Sequence, residues 1–350
     1  MAPTELFNRL KETYFGHEEK DQPVISPTTA TALSIAVTLF YVVPFYLSRA
    51  TRPSPSLNRD APSVIRARIQ TVTLACVVSS IATLYLLVVT AKLTPIHSLH
   101  FLGCWPLSIL DLVKSCALTL FLYLGPLFER IWIEQDLSDF HGGRKVVESL
   151  SSWQGYRNFV AGPVTEEVIF RSVLVPLHLL AKISPTKIVF LTPLYFGIAH
   201  VHHFYEFTLT HPHTPLLPAL LRSFFQFGYT TLFGWFADFI FLRTGSLYAC
   251  IIIHSFCNWV GLPRFWGRVK RREQHPLSPV AIRGKDDTDA IHARGGDGEL
   301  GLKWTIAYYT LLLTGVYLFY TGLWPLTMSD AALAKFSSRV TVKETKRWFS

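Results

Sequence analysis

Two adjacent carboxylates stand inside an apolar run, Gly162-Pro163-Val164-Thr165-Glu166-Glu167-Val168-Ile169-Phe170-Arg171. Pro163 suits the first turn of a helix, where its missing N–H is not needed. Glu167 and Arg171 are four apart, so they share a helix face and form an ion pair. Glu166 is rotated by about 100° from Glu167 and need not use that arginine. A carboxylate held in hydrocarbon is costly and marks a candidate functional group. Two further pairs follow: Phe196-x-x-x-His200 and His254-x-x-x-Asn258, each lining one face of a helix. The chain has only Asn8, Asn58, Asn158 and Asn258, so an asparagine one turn from a histidine inside an apolar run is a pointed observation. A lone intramembrane histidine is ordinarily an interhelical hydrogen bond. Glu166, His200, His254 and Asn258 together point instead to a shared polar cavity.

The elements that must position these groups are membrane helices. The chain has 350 residues, half of them hydrophobic, 16% charged and 14% aromatic, and its mean hydropathy is +0.30. These values, with the apolar runs along the chain, predict an all-α polytopic membrane protein with about eight transmembrane helices, those that carry the polar groups bundled around a polar cavity. The net charge of +9 belongs to individual loops and is no nucleic-acid signal. Residues 1–27 are polar and carry Glu18, Glu19, Lys20 and Asp21, so the first apolar run is expected to be retained, not cleaved as a signal. Apolar runs follow at about 28–47, 69–91, 106–128, 156–180, 186–205, 217–242, 246–262 and 303–325. Asp111 and Lys114, three apart in the third run, are expected to pair with each other. The domain reading is a polar segment at 1–27, three spans and their loops at 28–155, the core at 156–262, a hydrophilic and mobile loop at 263–302, and a last span with its tail at 303–350. Cys76, Cys116, Cys250 and Cys257 lie in apolar runs without metal-ligand spacing, which reads as reduced packing.

Charge sets the expected orientation. The 49–68 loop holds five arginines against Asp60, and Arg264, Arg268, Lys270, Arg271 and Arg272 sit at the membrane edge of the 263–302 loop. Both loops are then cytosolic and both termini luminal, although the basic tail fits this poorly. On that orientation, at 1.5 Å per residue, Glu166 lies roughly 15 Å deep, His254 roughly 12 Å, His200 roughly 7 Å and Asn258 roughly 6 Å, all nearer the cytosolic face.

Glu-Glu-x-x-x-Arg, then Phe-x-x-x-His, then His-x-x-x-Asn, in this order on membrane helices, resembles the type II CaaX prenyl endopeptidases, the Ras-converting enzymes of the ABI superfamily. The match is specific over about 158–262. The resemblance implies an intramembrane glutamate protease of the endoplasmic reticulum, metal-independent and without a cofactor. It would remove the last three residues from prenylated CaaX proteins such as Ras- and Rho-type GTPases, with its active site facing the cytosol. It assigns water activation to Glu166 and His200 and oxyanion stabilisation to His254 and Asn258, a donor contribution worth roughly 3–4 kcal/mol in known cases. Glu167 and Arg171 take a supporting role, and Phe196 reads as packing. Two rival readings stay open. Glu166, His200 and His254 also form a His2Glu zinc set, against which stands the lack of a His-Glu-x-x-His helix. A transporter or scaffold would equally hold a polar cavity. Gly-x-Gly-Asp and a glycine-flanked serine site are both missing from the sequence.

Overall fold

The computed structural model describes residues 22–54, 59–133, 150–271 and 298–336. The chain is helical there, apart from a two-residue ladder pairing β1 (Lys270–Arg271) with β2 (Gly298–Glu299). All eight apolar runs are helices. Helix α1 covers Pro27–Leu47 and α2 covers Pro62–Thr90. A short α3 (Pro95–Phe101) leads to α4, which runs Ile109–Leu122 and then, bent by 77°, Leu124–Ile133. Helix α5 covers 153–180, α6 Pro185–Ala199, α7 His202–Thr210, α8 Leu216–Thr244, α9 Leu247–Val260 and α10 Leu302–Gly322.

Among the described residues, two helices, α1 and α2, are long and apolar enough to cross a membrane on length and composition alone; bent α4 makes a third if it counts as one span. The other apolar runs fall short for visible reasons. Helices α6 and α9 have 15 and 14 residues, and α8, though 29 residues long, carries Arg222, Gln226, Asp238 and Arg243. Polar groups inside a polytopic bundle are tolerated when they face other helices.

Several expectations shift. Helix α2 starts at Pro62, its proline at a first-turn position, so Arg66 and Arg68 lie on the helix and not in the loop. Asp111 does not reach for Lys114: buried at the start of α4, it accepts from the Ser329 hydroxyl at 2.6 Å. A neutral donor supplied by the chain after α10 spares Lys114 from following the carboxylate inward. The five cysteines are free. The mobile stretch expected at 263–302 falls mostly on 272–297, outside the described residues.

Helix α5 is built around irregularities. Two π-helical turns, Arg157–Ala161 and Val168–Val173, flank the α-helical stretch Gly162–Glu167. Pro163 cannot donate a main-chain hydrogen bond, which favours widening just before it. A Cβ at Gly162 would stand 2.9 Å from the Arg157 carbonyl oxygen, so the widened turn requires glycine. π turns of this kind concentrate where a helix must re-aim side chains. Helix α8 is the long strut against which α6 packs. The two meet through small residues: a Cβ on Gly197 would collide with the Thr231 hydroxyl, and one on Gly234 would stand 2.6 Å from Pro193 Cβ. The core at this end is Ile169, Phe170, Val173, Leu174, Phe196 and Ala199 from α5 and α6, closed by Tyr41, Val72, Ala75 and Cys76 from α1 and α2.

Candidate active site

Helix α5 turns its two carboxylates to different tasks. Glu167 points inward and is fully buried. Its Oε1 takes Arg171 Nη1 at 3.0 Å, one turn on, and His254 Nδ1 at 2.6 Å from α9. Arg171, also fully buried, continues to Asp238 of α8, whose Oδ1 lies 3.2 Å from Nε; the N–H is misaligned for a hydrogen bond, so this contact is chiefly electrostatic. Asp238 in turn accepts from the Thr192 hydroxyl of α6. A chain of charge therefore joins four helices: His254, Glu167, Arg171, Asp238 and Thr192. In a medium that screens poorly, each ion demands its partner.

Phe196 sits at the hub of this chain. Its ring receives the Arg171 guanidinium on one face, 4.8 Å from the centroid, and meets Phe170, His200 and His254 edge-on. Phe233 covers the guanidinium at 5.6 Å and the His254 ring at 4.6 Å. The aromatic faces stabilise a cation that has no water around it.

Glu166 faces a cavity of about 1530 Å³ lined also by His200, His254 and Asn258. Its Oε2 lies 3.6 Å from His254 Nε2 and 3.9 Å from His200 Nε2. Both separations exceed a direct hydrogen bond and suit one bridging by a small molecule such as water. The tautomers follow from the other ring atoms. His200 Nδ1 donates to the Phe196 carbonyl at 2.8 Å, so in the neutral ring Nε2 offers a lone pair toward Glu166. His254 Nδ1 donates to Glu167, which likewise turns Nε2 toward Glu166. A water between the carboxylate and His200 Nε2 can donate one proton to each, the arrangement a general base requires. His254 can donate to an oxyanion only as an imidazolium, with Glu167 as counter-ion. Asn258 gives one amide hydrogen to the Asn158 carbonyl at 2.9 Å, which holds the side chain in place and leaves its second N–H for the cavity.

Comparison with known proteins decides what such a site belongs to. Residues 148–260 match the family model described as Type II CAAX prenyl endopeptidase Rce1-like. A curated relative from Schizosaccharomyces pombe, "Probable CAAX prenyl protease 2", is 36% identical over 82% of this chain and 90% of its own length. "CAAX prenyl protease 2" of Arabidopsis thaliana is 33% identical over 71% of this chain and 85% of its own, and that of Homo sapiens 32% over 71% and 74%. This chain belongs to the Rce1-like family of type II CAAX prenyl endopeptidases. No solved structure matches it.

Seen as a member of that family, the chain brings together all seven residues singled out from its sequence: Glu166, Phe196, His200, His254 and Asn258 on the cavity wall, with Glu167 and Arg171 behind them. The pairing of Glu167 is richer than a helix-face ion pair with Arg171. His254 shares the same carboxylate oxygen, and Asp238 shares the arginine. Asp238, Thr192 and Phe233 were not readable as site residues. The one signal was Asp238 itself, an acid inside an apolar run with no basic residue three or four positions away on the same helix.

Proposed function

We propose that this CaaX endopeptidase removes the last three residues of proteins ending in a prenylated cysteine by direct attack of water. Glu166 takes a proton from the water as its oxygen adds to the carbonyl carbon of the prenylated cysteine. His200 Nε2 holds that water, takes its second proton as the tetrahedral intermediate collapses, and passes that proton to the departing amine. The carbon–nitrogen bond breaks, leaving a carboxylate on the cysteine and a free tripeptide. His254 as imidazolium and Asn258 through its second N–H stabilise the tetrahedral oxyanion. The carrying observation is the placement of Glu166 Oε2 before the Nε2 atoms of two histidines, each held from behind through its Nδ1.

Metal-independent chemistry is favoured by spacing. Among the described residues, the group whose donor atoms all lie within 4.8 Å of one another is His202, His203 and Glu206; Glu166, His200 and His254 do not form such a set. A tetrahedral zinc with bonds of about 2.0–2.1 Å needs donors closer together than that limit.

The cavity suits a lipidated peptide. Its wall includes Phe190, Leu232, Leu313 and Val316, large apolar side chains that are also exposed, as a sideways opening to lipid requires. A prenyl chain gains roughly 0.8 kcal/mol per buried CH₂ in lipid, and a sideways entry lets it stay there during cleavage. Ras- and Rho-type GTPases are the substrates we infer, met at the cytosolic face of the endoplasmic reticulum. The test is incubation of purified chain with a farnesylated peptide ending Cys-a-a-X, with mass detection of the products. Release of the intact tripeptide is expected; single-residue trimming, or no cleavage, contradicts the reading.

A further inference from the structure

Helix α8 carries a buried polar group that neither the ionic chain nor the proposed chemistry uses. Gln226 is only 3% exposed, yet it lines the cavity that holds Glu166, His200 and His254. Its Nε2 has no hydrogen-bond partner among the described residues. Buried amide groups are ordinarily paired, and leaving one unpaired is costly. The neighbouring Thr230 does not relieve it, because that hydroxyl donates to the main-chain carbonyl of Gln226 at 2.8 Å. The Thr231 hydroxyl also has no partner among the described residues, but it is packed against Gly197 at the α6 contact and is not part of the cavity wall.

Packing fixes the level of Gln226 in the bundle. Helices α6 and α8 run antiparallel: Gly234 meets Pro193, while Thr231 and Phe227 meet Gly197. Extending that register by less than a turn brings Gln226 level with His200. Gln226, Thr230 and Phe233 recur at helical spacing, so they share the face of α8 that lines the cavity. Phe233 covers the His254 ring at 4.6 Å. Gln226 precedes Phe233 by about two turns, roughly 10 Å along the axis. Side chains lean toward the start of their helix, so Gln226 is directed away from His254. Its amide lies one layer beyond the reacting groups, on the same cavity.

We propose that Gln226 binds the main chain of the -aaX tail, its amide donating to the carbonyl oxygen of the last peptide group. The inference rests on the hydrolase reading given above. An extended tail advances about 3.3–3.6 Å per residue, which puts its last peptide group roughly 7–10 Å beyond the scissile bond. That span matches the separation of Gln226 from the ring over His254. The chemistry selects the partner. A prenyl chain has no atom that accepts a hydrogen bond. A carboxylate is matched best by a guanidinium, whereas a neutral amide suits a neutral carbonyl and brings no ion into the wall. Main-chain recognition is indifferent to side chains, so one contact serves tails of different sequence.

The experiment uses the full chain in lipid vesicles and two farnesylated peptides with the same scissile bond. One has an ordinary last peptide group; in the other a trans-alkene replaces it and removes its carbonyl and N–H. The wild type is expected to prefer the ordinary peptide by about five- to tenfold in kcat/KM, mostly through KM. Gln226→Met, similar in length and without a donor, should lose that factor on the ordinary peptide, lose little on the alkene, and keep kcat. Its thermal midpoint should equal or exceed that of the wild type, because an unpaired buried amide is removed. A structural role would move the midpoint the other way. A lowered midpoint, or a variant that fails to fold, means that the amide has a partner within the fold and overturns the assignment. Equal wild-type rates on the two peptides, or equal loss on both in Gln226→Met, overturn it as well. A wild type that cleaves neither peptide removes the hydrolase reading, and the tail contact with it.

Discussion

At the residue scale, the site depends on a buried ionic chain more than on any single group. Arg171 compensates two carboxylates, Glu167 and Asp238, with all three side chains closed to solvent. Arg171→Ala strands both acids and should cost about 3–5 kcal/mol, read as a large drop in the thermal midpoint together with loss of activity. Replacing Glu167 and Arg171 together by glutamine still strands Asp238, so that double variant should remain unstable. Adding Asp238→Asn should recover part of the thermal midpoint. A double variant as stable as the triple would contradict the role given to Asp238. Sequence alone supplied Glu167 and Arg171 because their i,i+4 spacing is local. Asp238 is 67 positions from Arg171 and Thr192 is on yet another helix, and helical spacing carries no information about such contacts.

At the element scale, catalysis is a matter of how α5, α6 and α9 are brought together by α8. Apolar runs located the helices, although α2 begins seven residues before its run and the run at 186–205 is two helices, and the pairs four apart named the faces. The π turns of α5 and the break after Ala199 were not legible, because both follow from packing and from local widening near Pro163. Close approach of α6 to α8 needs a residue without a side chain at 197. Gly197→Ala should therefore push α6 outward, lower stability by roughly 1–3 kcal/mol and reduce turnover by displacing His200. Gly228→Ala, on α8 with open space around it, is the matched control and should leave both unchanged. Thermal unfolding and peptide hydrolysis measure the pair; equal effects from the two substitutions would contradict the close-packing account.

At the scale of the whole molecule, the basic segments predicted to share one side of the membrane both contribute to the cavity wall. Arg59 and Arg68, from the region after α1, and Arg264, from the segment after α9, line one cavity. Trp266 and Phe265 beside it are strongly exposed, as interfacial aromatic anchors are. If this rim is cytosolic, Trp266→Cys in a chain stripped of its five native cysteines should react with an impermeant thiol reagent added outside sealed microsomes. Reaction only after the vesicles are opened would reverse the orientation.

The central claim is that Glu166 activates water without a metal, and hydrolysis of a farnesylated CaaX peptide by purified wild type and Glu166→Ala, each with and without a chelator, tests it most directly. Removing a general base that acts with its partner histidine should lower kcat by about a hundredfold or more, with the variant still folded in the membrane, while the chelator leaves the wild type unchanged. Normal turnover in Glu166→Ala, or wild-type activity lost to chelator and restored by zinc, would contradict the account.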